Sequence, residues 1–373
     1  VSGPGTITIK PPYGGFIVIE ALEWLRNILY YKSFDVRLRN KRGKMKQYKH
    51  HLLLYIFLLF TPGVGEGQGS LLSLELELTR LGELSGGTMG VGVIHIESGR
   101  RVYVNNNERY PMASTYKVPI AVQLLKRVQM KEITLDQMVE VQTYDLHPGS
   151  GTLSRLFINP GVILSVRNLL ELMMLISDNS ATDIMLDTAG GSKRVNAILK
   201  KNRISGMSVD RPTVQLIADW IGVDISEEKE FSNKDFIKTY ESLSEEEMEN
   251  ANRAFSRNKK DTSTPEAMAV LLEKIWKKEI LNPEMSELLI DIMGRCKTGE
   301  DRLKGMLPEE TFVAHKTGTI GTTTNDVGII ELPRNKGHVV VAAFVKDSEL
   351  EIPERERAIA HAARAVHDYF LFN

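Results

Sequence analysis

The chain has 373 residues, 42% of them hydrophobic and 25% charged, with 47 Lys and Arg set against 48 Asp and Glu. Near-neutrality gives no electrostatic reason to expect nucleic acid or a membrane surface as partner, and the length allows one large or two small domains. Cys296 is the only cysteine and no HExxH pair occurs among the eight histidines, so an intrachain disulfide and a cysteine metal cluster are excluded. The chemistry is expected to use no metal and no cofactor.

Near the N-terminus, Met45-Lys46-Gln47-Tyr48-Lys49 precedes an apolar run from Leu52 to Phe60, after which Thr61 to Ser70 turn small, polar and glycine-rich. A basic start, a short apolar centre and a small-residue exit describe a secretory signal over 45–65, too short to span a bilayer. Gly63-Val64-Gly65 is the candidate cleavage region, and a buried helix is the alternative. No cysteine follows the run, which excludes lipid anchoring. The expectation is a periplasmic or secreted protein without a membrane anchor. Residues 1–44 precede this signal, and they are expected to be upstream sequence outside the mature protein, with Met45 as the start.

Beyond the signal, Leu71–Leu84 carries apolar positions at helical spacing, and Met89–Ile96 with Arg101–Asn105 reads as a hairpin. Helices are expected over Ser114–Met130, Val166–Ile176, Asn179–Thr188, Lys193–Lys200, Thr264–Ile280 and Glu284–Met293. Thr311–Thr317, Asp326–Leu332 and His338–Lys346 read as strands, and Pro353–Phe372 as a closing helix. Strands from both ends with terminal helices covering them give an α+β fold. The antiparallel sheet is expected from 71–110 and 295–373. A helical domain over 111–294 is inserted, including a long polar loop at 210–261.

Three segments within this frame carry complementary chemistry. Ser114-Thr115-Tyr116-Lys117 sets a lysine three residues from a serine at a helix start, where i, i+3 spacing brings both to one face. Backbone N–H groups there would meet a developing oxyanion. The alternative is an N-cap serine with a surface lysine. Two other SxxK pairs, Ser226/Lys229 and Ser256/Lys259, lie in charged sequence and read as surface. Ser177-Asp178-Asn179 offers a hydroxyl and an amide between two helical runs, or simply a helix cap. KTG occurs at Lys297 and Lys316; the second continues an extended run and adds Thr319, so Lys316-Thr317-Gly318-Thr319 is preferred. Its glycine is expected to let substrate lie close to the backbone.

This trio resembles the signature of class A β-lactamases and penicillin-binding proteins, and the similarity covers nearly everything from Leu71 to Asn373. The resemblance implies Ser114 as acylated nucleophile with Lys117 as its partner, and Ser177 and Lys316 as proton movers. The N–H groups of Ser114 and Thr319 become the oxyanion hole. Asn179, Thr317, Gly318 and Thr319 become substrate-binding, Tyr144 walls the cleft, and Arg302 stands near the substrate carboxylate because Val327 occupies the usual arginine position. A monomer acting on β-lactam antibiotics is expected.

One departure matters. Family members carry a water-activating Glu two residues after the arginine that opens the loop, and an Asn four residues beyond. Arg211 opens the loop here and is expected to pair with Asp261 across its neck, yet Thr213 holds the Glu position. The Glu-x-x-x-Asn spacing recurs at Glu246–Asn250, which makes Glu246 the candidate base. The alternatives are a penicillin-binding DD-peptidase or slow acyl-transferase on the same fold, and a penicillin-sensing domain without turnover.

Overall fold

Apolar β-branched runs send successive side chains to opposite faces, and in this chain both faces are covered. In the computed structural model, which describes residues 38–39, 45–46, 66–147, 149–225 and 233–373, five strands form one antiparallel sheet. They are β1 (Thr88–His95), β2 (Arg101–Val104), β3 (Val313–Ile320), β4 (Thr323–Leu332) and β5 (Gly337–Lys346), in the order β2-β1-β5-β4-β3. On β5, Val339, Val341, Ala343 and Val345 join one core cluster, whereas Val340, Ala342 and Phe344 join the other. β3 is an edge strand, which matters for the site.

The first cluster lies under the terminal helices α1 (Glu66–Gly82) and α11 (Ile352–Phe372). Leu74 and Leu78 meet Ile359, Ala362, Ala363, Val366 and Phe370 there. The second face is covered by two helices that follow the long loop, and the same core continues into α2 (Lys117–Gln129), α3 (Val166–Leu175), α4 (Asn179–Thr188) and α5 (Gly191–Lys201). Each large side chain so buried contributes roughly 1.5–3 kcal/mol relative to exposure. Local signals set the ends of these helices. Asp178 caps α4 by accepting from Ala181 N, and Ser165 caps α3 by accepting from Asn168 N. Residues 65–373 form one compact unit.

The loop 210–261 holds three helices where an irregular polar segment was expected: α6 (Thr213–Ile221), α7 (Asn233–Glu241) and α8 (Glu245–Arg257). A Ser244/Glu247 capping box starts α8. Ala218, Val223 and Phe236, with Ile217, Ile221 and Leu243 against them, give the segment its own small core. Leu216 and Phe255, with Trp220 beside them, then pack on Ala113 and Ile320, tying the segment to β3. α9 (Pro265–Trp276) and α10 (Pro283–Gly294) follow, with Thr264 and Asn282 as N-caps and proline at the first helical position. A short antiparallel pairing of Met138–Val141 with Val162–Ser165 also had no forecast.

The expected signal segment lies outside the described residues except for Met45–Lys46, which pairs with Leu38–Arg39. The acidic run Ser226–Glu230 also lies outside them. No helix among the described residues is long and apolar enough to cross a membrane.

Candidate active site

Ser114 sits in a 3-10 turn, Ala113–Tyr116, that runs directly into α2 at Lys117. The turn begins at Ala113 with φ 46°, a left-handed conformation that is costly for a residue with a Cβ. Neighbouring groups hold it there. Asn325, buried in β4, donates to Pro111 O at 2.9 Å and Met112 O at 3.0 Å, and Thr115 Oγ1 donates to Met112 O at 2.7 Å. Gly318 of β3 backs onto the same turn. A Cβ at that position would lie 2.6 Å from Met112 O and 3.0 Å from Ser114 N. The glycine is therefore required by the packing of strand on turn.

The second corner is also strained, with Ser177 at φ 61° between α3 and α4. Asp178 fixes it. Besides capping α4, its carboxylate accepts from Thr152 N at 2.6 Å and Leu153 N at 2.9 Å, and Asn179 N donates to Ser150 O at 2.9 Å. Gly151, at φ 115°, allows the close approach, since a Cβ would lie 2.2 Å from Asp178 Oδ2. The helix-cap reading of this tripeptide thus holds at Asp178.

The three segments meet at Ser177. Its hydroxyl accepts from Lys117 Nζ and from Lys316 Nζ, both at 3.1 Å. Lys117 Nζ also donates to Ser177 O at 2.8 Å and Asn179 Oδ1 at 3.0 Å, and Lys316 Nζ to Thr317 O at 3.0 Å. Both lysines are fully buried. Burial, and then the charge of Lys316, holds Lys117 well below the ordinary lysine range; burial brings Lys316 down to about 8. Lys117 is thereby the amine of the pair biased toward its neutral form.

Thr319 and Thr317 turn to different partners. Arg302, buried, donates through Nη2 to Thr319 Oγ1 at 2.7 Å, through Nη1 to Gly318 O at 3.1 Å and Asn325 O at 2.8 Å, and through Nε to Glu356 Oε1 at 3.0 Å. The Thr317 hydroxyl instead bonds Thr298 Oγ1 at 2.6 Å. The Lys297 KTG is thus a neighbour of the Lys316 one: Thr298 and Gly299 pack on Thr317, and the Lys297 side chain is exposed. Of the other SxxK pairs, Ser256 and Lys259 are exposed.

A cavity of about 440 Å³ opens over the cluster, lined by Ser114, Asn179 and Thr319. Lys117, Ser177, Lys316 and Arg302 do not line it and are buried. Its far wall comes from α6, through Thr213, Leu216, Ile217 and Trp220. Residues 73–370 match the family model described as the beta-lactamase enzyme family. The chain belongs to that family. It is 27% identical over 335 residues to beta-lactamase VEB-1 of Pseudomonas aeruginosa, covering 88% of this chain and 99% of the relative. It is 29% identical over 290 residues to a beta-lactamase of Bacteroides uniformis, covering 75% and 86%. The crystal structure of TLA-1 extended-spectrum beta-lactamase superposes with a TM-score of 0.66 at 29% identity, covering 81% of this chain and 99% of that one. These similarities make the chain a class A serine β-lactamase of α+β fold.

In this β-lactamase the long loop is clamped at its neck. Arg211 Nε donates to Asp261 Oδ2 at 2.6 Å, Asp261 Oδ1 accepts from Asp210 N at 2.6 Å and Arg211 N at 3.2 Å, and Arg211 also pairs with Asp219. Only 5% of the Arg211 side chain and 1% of Asp261's is exposed, so removing one partner strands a buried charge. Arg211→Ala is expected to cost roughly 3–5 kcal/mol of stability, read by urea denaturation. A loss under about 1 kcal/mol, typical of exposed pairs, would show that the neck does not hold the loop.

Two candidates fall outside the site. Glu246 lies in the acidic first turn of α8, exposed, and does not line the cavity; Asn250, one turn on, is exposed and accepts from Arg253 Nη2 at 2.8 Å. The spacing matched because it is the i, i+4 repeat of a solvent-facing helix. Glu246→Gln is accordingly expected to leave the steady-state rate with nitrocefin within twofold of the parent, and a rise in accumulated acyl-enzyme would restore it as a base. Tyr144 sits in a one-turn helix, Thr143–Asp145, 50% exposed and not among the lining residues.

Other positioning residues went unread in the sequence. Asn325 holds the turn before Ser114. Asp183 accepts from Thr213 N at 2.5 Å and Val214 N at 3.0 Å, satisfying the first amides of α6. Tyr116 OH shares a short hydrogen bond with Thr213 Oγ1. Only a polar residue inside an otherwise apolar strand or helix marked them, and that signal does not say which backbone it serves.

Proposed function

We propose that the β-lactamase opens its substrate by acyl transfer to Ser114, and that the doubly held Ser177 hydroxyl is the observation that carries this reading. In its neutral form Lys117 donates to only two of its three acceptors and turns its lone pair to the Ser114 Oγ proton as Oγ bonds to the lactam carbonyl carbon. Backbone N–H groups of Ser114 and Thr319 stabilise the oxyanion. As the C–N bond breaks, Ser177 delivers its proton to the leaving nitrogen and regains one from Lys117. With its oxygen accepting from two amines, Ser177 keeps its own O–H for that transfer. Lys316 supplies the positive field for the substrate carboxylate, and Arg302 orients Thr319 beside it. Asn179 contacts the substrate amide. Water then cleaves the ester and releases a ring-opened acid. We further propose that the enzyme is exported to the periplasm or medium and acts as a monomer.

The test is nitrocefin with the mature chain, followed by absorbance and intact mass together. Ring opening with a transient or lasting adduct of one equivalent is expected. Neither colour change nor adduct would defeat the assignment.

A further inference from the structure

The tripeptide Lys-Thr-Gly occurs twice in this chain, and the copy at 297–299 takes no part in the acylation steps above. It follows α10 in a loop tied to the end of α3, where Lys297 N donates to Leu175 O at 2.9 Å. From there Thr298 and Gly299 reach both branches of one side chain, that of Thr317 on β3. The Thr298 hydroxyl lies 2.6 Å from Thr317 Oγ1. Gly299, at φ 75°, stands so close to the methyl that a Cβ there would lie 2.4 Å from Thr317 Cγ2. A β-branched side chain has one χ1 to set. With its oxygen and its methyl each held by the same loop, the rotamer of Thr317 is fixed.

Hydrogen-bond accounting gives this contact a direction. A carboxylate only accepts, and a threonine hydroxyl has a single proton to give. Thr319 keeps its proton because Arg302, which can only donate, supplies Nη2–H to Thr319 Oγ1 at 2.7 Å. Thr317 keeps its own when Thr298 is the donor in their bond. Cys296 permits that polarity: its Sγ lies 3.4 Å from Thr298 Oγ1, so the S–H can satisfy that oxygen in turn. Thr317 and Thr319 stand on one face of the edge strand, about 6.5 Å apart along it, a gap that the two oxygens of a carboxylate bridge. Thr319 lines the cavity, and Thr317 is 5% exposed.

From this arrangement we infer that Thr298 is a positioning residue for substrate binding: it donates to Thr317 Oγ1 while Gly299 holds the methyl, which leaves the Thr317 proton for the β-lactam carboxylate. The inference rests on the acyl-transfer reading above and deepens it. The second Lys-Thr-Gly thereby backs the first, as Arg302 backs Thr319.

The experiment measures the second-order rate of acylation of the full chain by intact mass spectrometry, with benzylpenicillin and with its methyl ester, which lacks the carboxylate charge. The quantity read is the acid-to-ester ratio of the two rates. Thr298→Val removes the hydroxyl at nearly constant volume and should lower that ratio about tenfold, the worth of one well-placed hydrogen bond to a charged group. Thr298→Ser keeps the hydroxyl and should hold the ratio within about threefold of the parent. Both rates come from one preparation, so a loss of folded protein lowers them alike and cancels. Thr298→Ala, which also lacks the hydroxyl, replaces the valine variant if that does not fold. An unchanged ratio without the hydroxyl would overturn the inference, as would a serine variant that falls as far as the valine one. A parent acylated equally fast by acid and ester would overturn it too, leaving acyl transfer intact. A parent labelled by neither would instead defeat the acyl-transfer reading itself.

Discussion

Ser114→Ala is expected to abolish covalent labelling by a fluorescent penicillin and to remove nitrocefin ring opening to the background rate. The expectation does not rest on the motif alone. Ser114 is the one motif hydroxyl that both lines the cavity and lies on the strained turn held by Asn325 and Gly318. Ser177 is buried behind it, between two amines. Because the substitution removes only an oxygen from a part-exposed side chain, folding should be unaffected, and a native melting curve with no label is the predicted pair of results. A labelled alanine variant would reject Ser114 as the nucleophile.

The second large effect concerns the lysine pair. Lys117→Ala should slow acylation by roughly 10²–10⁴-fold, the usual worth of a positioned base. The pH profile of the parent follows from the two shifts. Burial and the Lys316 charge lower Lys117, so its neutral, proton-accepting form is populated well below the pH at which an ordinary lysine deprotonates, and the rising limb moves to lower pH. Lys316, brought to about 8 by burial, loses its charge as pH climbs through that value, and with it the attraction for the substrate carboxylate. The second-order acylation rate should therefore fall above about pH 8. Lys316→Arg, whose guanidinium stays charged across that range, should move the alkaline limb upward even if the maximum is lower. A parent profile flat from pH 7 to 10, or an unmoved limb in the arginine variant, would contradict the assignment of charge to Lys316.

Chemistry was the legible part of this sequence. Acyl transfer needs a hydroxyl, an amine and a second hydroxyl of fixed type, so Ser114-to-Lys117, Ser177-to-Asn179 and Lys316-to-Thr319 could be read, and the structure joins them through Ser177. The two helices after the long loop were legible too, expected over Thr264–Ile280 and Glu284–Met293 and found at Pro265–Trp276 and Pro283–Gly294. The segment 213–257 was not, because its helices bury few positions each, and its small core depends on Phe236 meeting α6 rather than on a repeating pattern. Glu246 failed for a related reason: a spacing of four is shared by a paired catalytic motif and by any exposed helix. Asn325 was invisible because the carbonyls it serves lie more than two hundred residues away along the chain.

The neck at Arg211 and Asp261 joins residues fifty apart, and loop-closure entropy rises only logarithmically with the chain enclosed. Doubling or halving that excursion changes folding free energy by about 0.6 kcal/mol. Length is therefore nearly neutral to stability here while the pinch holds. What a change of length would alter is the cavity itself, since Thr213, Leu216, Ile217 and Trp220 sit inside the excursion and line it.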